Sequence, residues 1–597
     1  MDYAVLKAFK KSQYTDAADS YRTTGDMADQ AKAGIENQIT ASMRKTLKGE
    51  AAGAALFQLR ELAKNFHYVQ VECGLVSTAL NAFASDIDTA RTKLDRAVED
   101  AESRKFTVGA DGSVSYPEGG EKTDGKTPKG GTAKGTTDTT ARAINRQAAN
   151  FDPNPNFAAA QECADRIAEA LKEATAADEK WAPKLRSLRA DDDLTVSSSD
   201  WVDAQEDMGR VRDGAKSYLD HIKAPPKDGG PEANADWWKK LSEQEKAAYL
   251  SVHPATVGAL NGLPAGVRDE ANRTLLDEKQ AQYRKQLDAI PKEPERYITF
   301  RDSVRTNGDW VKWDREYGDK REQLREALHG MEAIQKRLDS TGGKEGIPEA
   351  YLLGFRPEGD GRVILANGNP DTADHTAIYV PGTKTHLGSI EGDLNRGVKL
   401  WRSSDALSPG AKISTITWFD YDAPNLLPNA TRDGYAEKGG PDLRDFLDGN
   451  KAAHHAATGS TAHTTLIGHS YGSTVIGDGA KSGHWPDGPL AVDDVIAAGS
   501  PGMQARRAAD LGIKPDHMWA EKSDNYDDWF VRNGGKIMGL GGDGVIPTDK
   551  EFGGRVMKSD APDHGGYWNV NKDGAPSVSL KNQARVIVGD YEGVTLE

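Results

Sequence analysis

Cysteine is nearly absent: Cys73 and Cys163 are the only two in 597 residues, so the fold cannot rest on a disulfide framework. Both lie in helix-like sequence, where a buried free thiol is expected. No run of about 18 apolar residues occurs, which excludes a membrane-spanning helix. The opening stretch MDYAVLKAFKKSQYTDAADSY has neither the apolar core nor the small-residue cleavage site of a secretory leader, so the cytoplasm is the expected location. Positive charge is in deficit, with 76 Lys and Arg against 92 Asp and Glu and a net charge of -16. Without a basic cluster, neither nucleic acid nor an anionic membrane is an expected partner. Metal-ligand spacing is missing as well. Asp543 and Asp549, in GGDGVIPTDKEFGG, fit no EF-hand or zinc pattern, so no metal and no other cofactor is expected.

What is present describes a soluble globular chain, 37% hydrophobic with 12 Trp and 18 Tyr. Its length exceeds the roughly 250 to 300 residues over which one core keeps growing, so several domains are expected. The patterning suggests four segments. Residues 1–105 read as a helical hairpin, with stripes at Leu56, Leu59, Ala63 and Phe66 and at Val76, Leu80, Phe83, Ile87 and Leu94 burying against each other across two antiparallel helices. Residues 106–140 read as a small β-hairpin around Asp111 and Gly112 followed by a flexible linker, because Pro117 to Thr140 offers only Ala133 to a core. Residues 141–345 read as helical, with Ser242 and Glu245 forming a capping box, Trp237 and Trp238 as packing anchors, and Arg268 and Arg273 as surface charges. From 346 to 597 the pattern changes to short β-branched runs separated by helix-compatible stretches. The runs are Val363 to Leu365, Ala377 to Val380, Ile413 to Phe419, Thr464 to Ile467, Val495 to Ala498, His517 to Ala520 and Arg555 to Met557. That alternation predicts a mostly parallel sheet with helices on both faces.

Within this last segment TTLIGHSYGS places Gly468, Ser470 and Gly472 in a G-x-S-x-G pattern, with His469 and Tyr471 between them. An apolar strand enters it and a helix leaves it, the strand, turn and helix that a nucleophile elbow requires. The glycines suit a strained turn whose flanks admit no Cβ, and the helix start aims backbone N–H groups at a developing oxyanion. A serine hydroxyl needs a base, and in this fold the chain order is nucleophile, acid, histidine. His564, in the loop APDHGGYW after the last strand, suits the base, whereas His517 begins a strand and would be packed. The acid should follow HMWA, where EKSDNYDD offers Asp524, Asp527 and Asp528; Asp524 comes first and is preferred. Gly382 and Thr383, in PGTKTH after the Ala377 to Val380 strand, would join the Tyr471 N–H in an oxyanion hole.

Taken together, IYVPGT, TWFDYDAP, LIGHSYGS, IAAGSPG and DHGGYW resemble the actinobacterial α/β-hydrolase family catalogued as a domain of unknown function, over about residues 350 to 590. The resemblance implies an α/β-hydrolase domain with a Ser470, Asp524 and His564 triad. The N-terminal stretch resembles the helical hairpins of WXG-type proteins exported by type VII secretion, with LKGEAA at the turn and Leu47 where those carry Trp. That implies an alternative, signal-peptide-independent export, and a helical protein partner or self-association for this half. The expected activity is a serine hydrolase that cleaves an ester, with an amide as second choice, on a small-molecule or lipid-like substrate. The rival reading is a secretion-associated interaction protein whose hydrolase fold is inactive.

Overall fold

Helical periodicity in the first half and strand runs in the second predict two kinds of architecture. The computed structural model has both, and describes all residues except 123–124, 189–194, 228, 301–302, 344–345, 427 and 482–487. Helix Lys11–Gly34 continues through Ile35–Thr40 and Ala41–Thr46, and the chain then returns as the long helix Glu50–Ser103. Gly49 makes the reversal at φ 94°, a conformation costly for any residue with a Cβ. Both expected stripes lie on that one helix rather than on two facing ones. Phe83 meets the Phe9 and Tyr14 rings of the opening segment. Phe83, Ile87 and Leu94 are also buried beside Ile167, Ala170 and Trp181 of helix Asn156–Ser187 and Val211 of helix Ser198–Gly214, so earlier and later helices share in supplying the partners.

The expected flexible linker is tied down instead. β1 (Thr107–Val108), β2 (Val114–Tyr116) and β3 (Gly131–Ala133) form an antiparallel sheet, and Ala133 is 2% exposed in the helical core. The Asn154 side-chain amide donates to the Pro117 and Lys129 carbonyls at 3.0 Å each. A Cβ on Gly130 would lie 2.2 Å from the Tyr116 carbonyl oxygen, so the glycine admits a close backbone approach. Composition misleads here because backbone pairing and one buried methyl replace an apolar pattern.

The segment 141–345 holds both the expected capping box at Ser242 and Glu245 and buried Trp237 and Trp238. Arg268 and Arg273 are not surface charges. Arg268 is buried against the Phe446 ring, and Arg273 binds Asp269 at 2.7 Å and the Ala350 carbonyl at 3.1 Å. Arg273 is tolerated there because its charge and N–H groups are met, whereas Arg268 donates from Nε to the Gly258 carbonyl at 3.3 Å and burial lowers its pKa to about 10. β4 (Tyr297–Phe300) and β5 (Ser303–Thr306) make a separate hairpin.

The main sheet comprises β6 (Ala350–Arg356), β7 (Arg362–Asn367), β8 (His375–Val380), β9 (Ile413–Phe419), β10 (His463–His469), β11 (Asp494–Ala498), β12 (Met518–Glu521) and β13 (Arg555–Val556). Their order across the sheet is β13-β12-β11-β10-β8-β9-β7-β6. The pairs from β13 to β9 are parallel, while β7 and β6 add an antiparallel edge. β6 is the strand that the sequence pattern does not announce. β9 and β11 are buried at every position, as a parallel strand covered on both faces must be. Leu466 and Val495 face one core, and Ile467 and Ile496 the other. The first core also takes Leu276 of helix Ala265–Asp288 and Leu328, Met331 and Ile334 of helix Asp319–Leu338. It therefore runs across the expected division at 345.

Chain order reverses around β8, with β9 on one side and β10 on the other. Such a switch point opens a crevice beyond the carboxyl ends of the strands. Register brings those ends level: Gly468 pairs with Val380, His469 with Ala498, and Ala498 with Glu521. The loops after β8, β10, β11 and β12 consequently leave the sheet side by side.

Candidate active site

At the end of β10 the chain turns sharply into helix Tyr471–Ala480, and Ser470 sits on the turn with φ 52° and ψ -126°. A non-glycine residue in that region stores strain, which the surroundings must hold in place. The Ser470 N–H donates to the Ala498 carbonyl at 2.9 Å, and the Ser473 hydroxyl donates to the Ser470 carbonyl at 2.6 Å. Neither flanking glycine has room for a side chain. A Cβ on Gly468 would fall 2.6 Å from Ser473 Cα, and one on Gly472 would fall 2.2 Å from the Val380 carbonyl oxygen.

His564 lies in the loop that leaves β13. Its Nδ1 is 2.8 Å from Asp528 Oδ1, while its buried Nε2 has no hydrogen-bond partner among the described residues. The carboxylate that meets it is thus Asp528 rather than Asp524, which is exposed together with Asp527. Asn525 caps helix Tyr526–Met538, and helical phase then turns the third residue of that helix inward and leaves the preceding acids in solvent. Asp528 also accepts from the Tyr567 hydroxyl at 2.7 Å, Arg532 Nε at 2.6 Å and the Ser523 N–H at 3.0 Å. Burial alone would raise its pKa, but these donors, His564 first, outweigh it and hold the carboxyl below its ordinary value. Gly499, at φ 57°, closes the gap between the elbow and His564. A Cβ there would lie 2.7 Å from Asp528 Oδ1 and 2.9 Å from His564 Nδ1.

The loop after β8 lies against the elbow. A Cβ on Gly382 would sit 2.8 Å from Ser470 Cβ and 3.2 Å from the Tyr471 nitrogen. Among the described residues no acceptor meets the N–H of Gly382, Thr383 or Tyr471. The loop is fixed from behind, with the Tyr421 hydroxyl on the Pro381 carbonyl at 2.7 Å and the Lys384 N–H on the Pro424 carbonyl at 2.9 Å.

A further ring of contacts, not legible in the sequence, joins elbow and base loop. His469 Nε2 donates to the His564 carbonyl at 2.7 Å, and burial, with His564 and Arg396 nearby, holds the His469 pKa well below the usual histidine value. Its ring packs on Trp568, which is capped in turn by Arg396 at 5.0 Å. Near Asp528, buried Glu521 accepts from Ser579 and Gln583, and burial pushes its carboxyl up to about 8. The i, i+4 pairing of Asp528 with Arg532 is the one signal in the sequence that could have singled out this acid. Asp549 binds Lys536 at 2.7 Å and Asp543 lies 3.6 Å from Arg506. Among the described residues no group of three His, Cys, Asp or Glu side chains could hold a metal, and no helix is long and apolar enough to cross a membrane.

Residues 356–535 match a sequence family described as alpha/beta hydrolase. An uncharacterized protein of Mycobacterium tuberculosis is 28% identical over 366 residues, 57% of this chain and 52% of the relative. An uncharacterized protein of Mycobacterium bovis is 30% identical over 180 residues, 28% of this chain and 64% of the relative. The chain thus spans about half the length of the first of these relatives. Sheet, elbow position and family match agree: the C-terminal half has an α/β-hydrolase fold, and a helix-rich half precedes it.

Proposed function

We propose that the protein is a serine hydrolase that cleaves an ester through an acyl-enzyme, with Ser470 as nucleophile, His564 as base and Asp528 as the acid that orients it. The observation that carries this reading is the His564 ring, bonded at Nδ1 to a buried carboxylate and unpartnered at Nε2, beside a strained serine elbow. Asp528 keeps the proton on Nδ1, so Nε2 presents its lone pair and takes the Ser470 proton as Oγ attacks the ester carbonyl. The negative charge that forms on oxygen is met by the N–H of Tyr471 and those of Gly382 and Thr383. One such donor is worth about 3 kcal/mol in the transition state. Collapse expels the alcohol with the proton from His564, and water, deprotonated by the same nitrogen, then releases the acid and restores Ser470. Nucleophile, base and oxyanion donors all come from the chain, so no step requires a cofactor.

The test is labelling of the full chain with a fluorophosphonate probe, alongside turnover of p-nitrophenyl esters. Wild type should label at Ser470, and Ser470→Ala should neither label nor turn over while melting at the same temperature, because the glycines rather than the hydroxyl shape the elbow. Turnover retained in purified Ser470→Ala would refute the assignment, and an unreactive wild type would favour an inactive fold.

A further inference from the structure

The helix that carries Asp528 has a second face that is left exposed among the described residues. Tyr526, Trp529, Phe530 and Ile537 are 70%, 51%, 52% and 82% exposed, and at 100° per residue they fall with Asn533 on one stripe. Asp528 and Gly535, the buried positions of that helix, lie opposite. Met538, at its end, is 55% exposed, so this thirteen-residue helix holds five of the 21 large hydrophobic residues exposed in the described chain. Solitary exposed apolar residues are ordinary, but a contiguous stripe marks an interaction surface. The aromatic members form one cluster, with Tyr526 and Trp529 rings stacked 5.9 Å apart and Tyr526 and Phe530 6.3 Å apart.

This stripe borders the catalytic crevice. Asn525, which caps the helix, donates to the Pro562 carbonyl at 2.8 Å, two residues before His564. The helix also touches the turn Asn429–Thr431, and the Arg432 carbonyl next to it accepts from the Tyr471 hydroxyl at 2.5 Å. Leu426, just ahead of that turn, is 60% exposed. Apolar side chains therefore stand on two neighbouring elements, one tied to the base loop and the other to the residue after the nucleophile.

We infer that the stripe is a lipid-facing surface, which seats the hydrolase on a neutral or zwitterionic lipid–water interface and makes the substrate a lipid ester drawn from that interface. The substrate half of this inference rests on the hydrolase reading; the surface itself does not. A protein docked at the lip of the crevice would cover the catalytic serine, whereas a lipid layer would supply it. Tyr and Trp pair an apolar body with a polar tip, which suits the boundary between headgroups and acyl chains. Charge selects the kind of lipid. The cations of this helix are engaged inward, Arg532 with Asp528 and Lys536 with Asp549, Asp527 is exposed at its first turn, and the chain carries a net charge of -16. Exposed Arg432 beside the neighbouring turn is offset by exposed Asp433, so no net positive charge among the described residues there favours an anionic surface.

Co-sedimentation of the full chain with phosphatidylcholine vesicles tests this, using Ser470→Ala so that lipid is not consumed. The vesicle-bound fraction should fall at least tenfold when Trp529→Ser, Phe530→Ser and Ile537→Ser are added. In the Ser470 background the triple variant should hydrolyse p-nitrophenyl acetate within twofold of wild type and lose at least tenfold on an emulsified long-chain ester, and the acetate rate also certifies its fold. Failure of the intact face to bind vesicles, or equal binding by the triple variant, would overturn the inference. So would a dimer, seen by sedimentation velocity, that the triple variant abolishes without any vesicle binding. Vesicle binding without fluorophosphonate labelling of Ser470 would uphold the surface and remove only the reaction.

Discussion

Exchanging Asp528 for asparagine tests the site most directly, because it changes chemistry while keeping shape. The carboxylate is fully buried and meets four donors: His564 Nδ1, the Tyr567 hydroxyl, Arg532 Nε and the Ser523 N–H. An amide has one acceptor oxygen and one donor nitrogen, so it must turn an N–H toward either His564 or Arg532. Toward His564, the ring proton shifts to Nε2 and the base loses its lone pair. In a serine-protease triad that change lowers turnover by about 10⁴, equivalent to about 5 kcal/mol of barrier. In either orientation the buried ion pair with Arg532, whose side chain is 12% exposed, is lost, which costs about 3 kcal/mol or more of stability. An N–H turned toward Arg532 adds a donor-against-donor clash, which favours the orientation toward His564. The assay is kcat/KM on p-nitrophenyl butyrate with the melting temperature recorded in parallel. Asp524→Asn, at an exposed position, should stay within twofold of wild type. More than a tenth of wild-type activity in a folded Asp528→Asn, or a hundredfold loss in Asp524→Asn, would refute the reasoning.

Gly472→Ala should destabilise by about 3 kcal/mol or more, as overpacking does, because its Cβ would lie 2.2 Å and 2.7 Å from two backbone oxygens; a chain that still melts like wild type would show that the elbow is looser than described. Glu521 is raised to about 8 in the fold from an unfolded value near 4.3. The folded state therefore holds a proton that the unfolded state has lost, and stability falls as pH rises between about 4.3 and 8. Glu521→Gln should remove that fall, leaving the melting temperature little changed at pH 5 and higher than wild type at pH 8; equal differences at both values would refute the assignment. Limited proteolysis under native conditions should spare residues 131–133, which pair with β2, and early cleavage there would contradict the pairing.

Ser470 and His564 were legible because their constraints are local or ordinal: two glycines around a turn, and a histidine after the last strand. Gly382 was legible as the glycine that follows a strand. Asp528 was not, since the choice among three acids depends on the phase of a helix whose start is fixed by the Asn525 cap. β6 carries a weak strand signal because its AYLLGFR does not alternate cleanly and holds Gly354, although Pro348 and Pro357 bound it. Arg268 and Arg273 read as surface charges in the sequence because charge predicts exposure only until tertiary packing is supplied. The lock between His469 and the base loop joins residues 95 positions apart, beyond the reach of any spacing rule.

The core shared between helices Ala265–Asp288 and Asp319–Leu338 and the sheet makes the catalytic half hard to excise. A chain beginning at 346 would leave Leu352, Leu353 and Phe355 wet where Leu276, Leu328, Met331 and Ile334 now share their core. At about 25 cal/mol per Å² of apolar surface, that loss is comparable with the roughly 5 to 15 kcal/mol by which a domain is stable at all. The amino-terminal hairpin reaches the same two helices or their ends through Gln70 and Glu270, His67 and Asp277, and Arg60 and Asp339. A lesion in the hairpin would then lower the abundance of folded molecules without altering the candidate site itself. Selection on the candidate site would thereby act on side chains that never approach it.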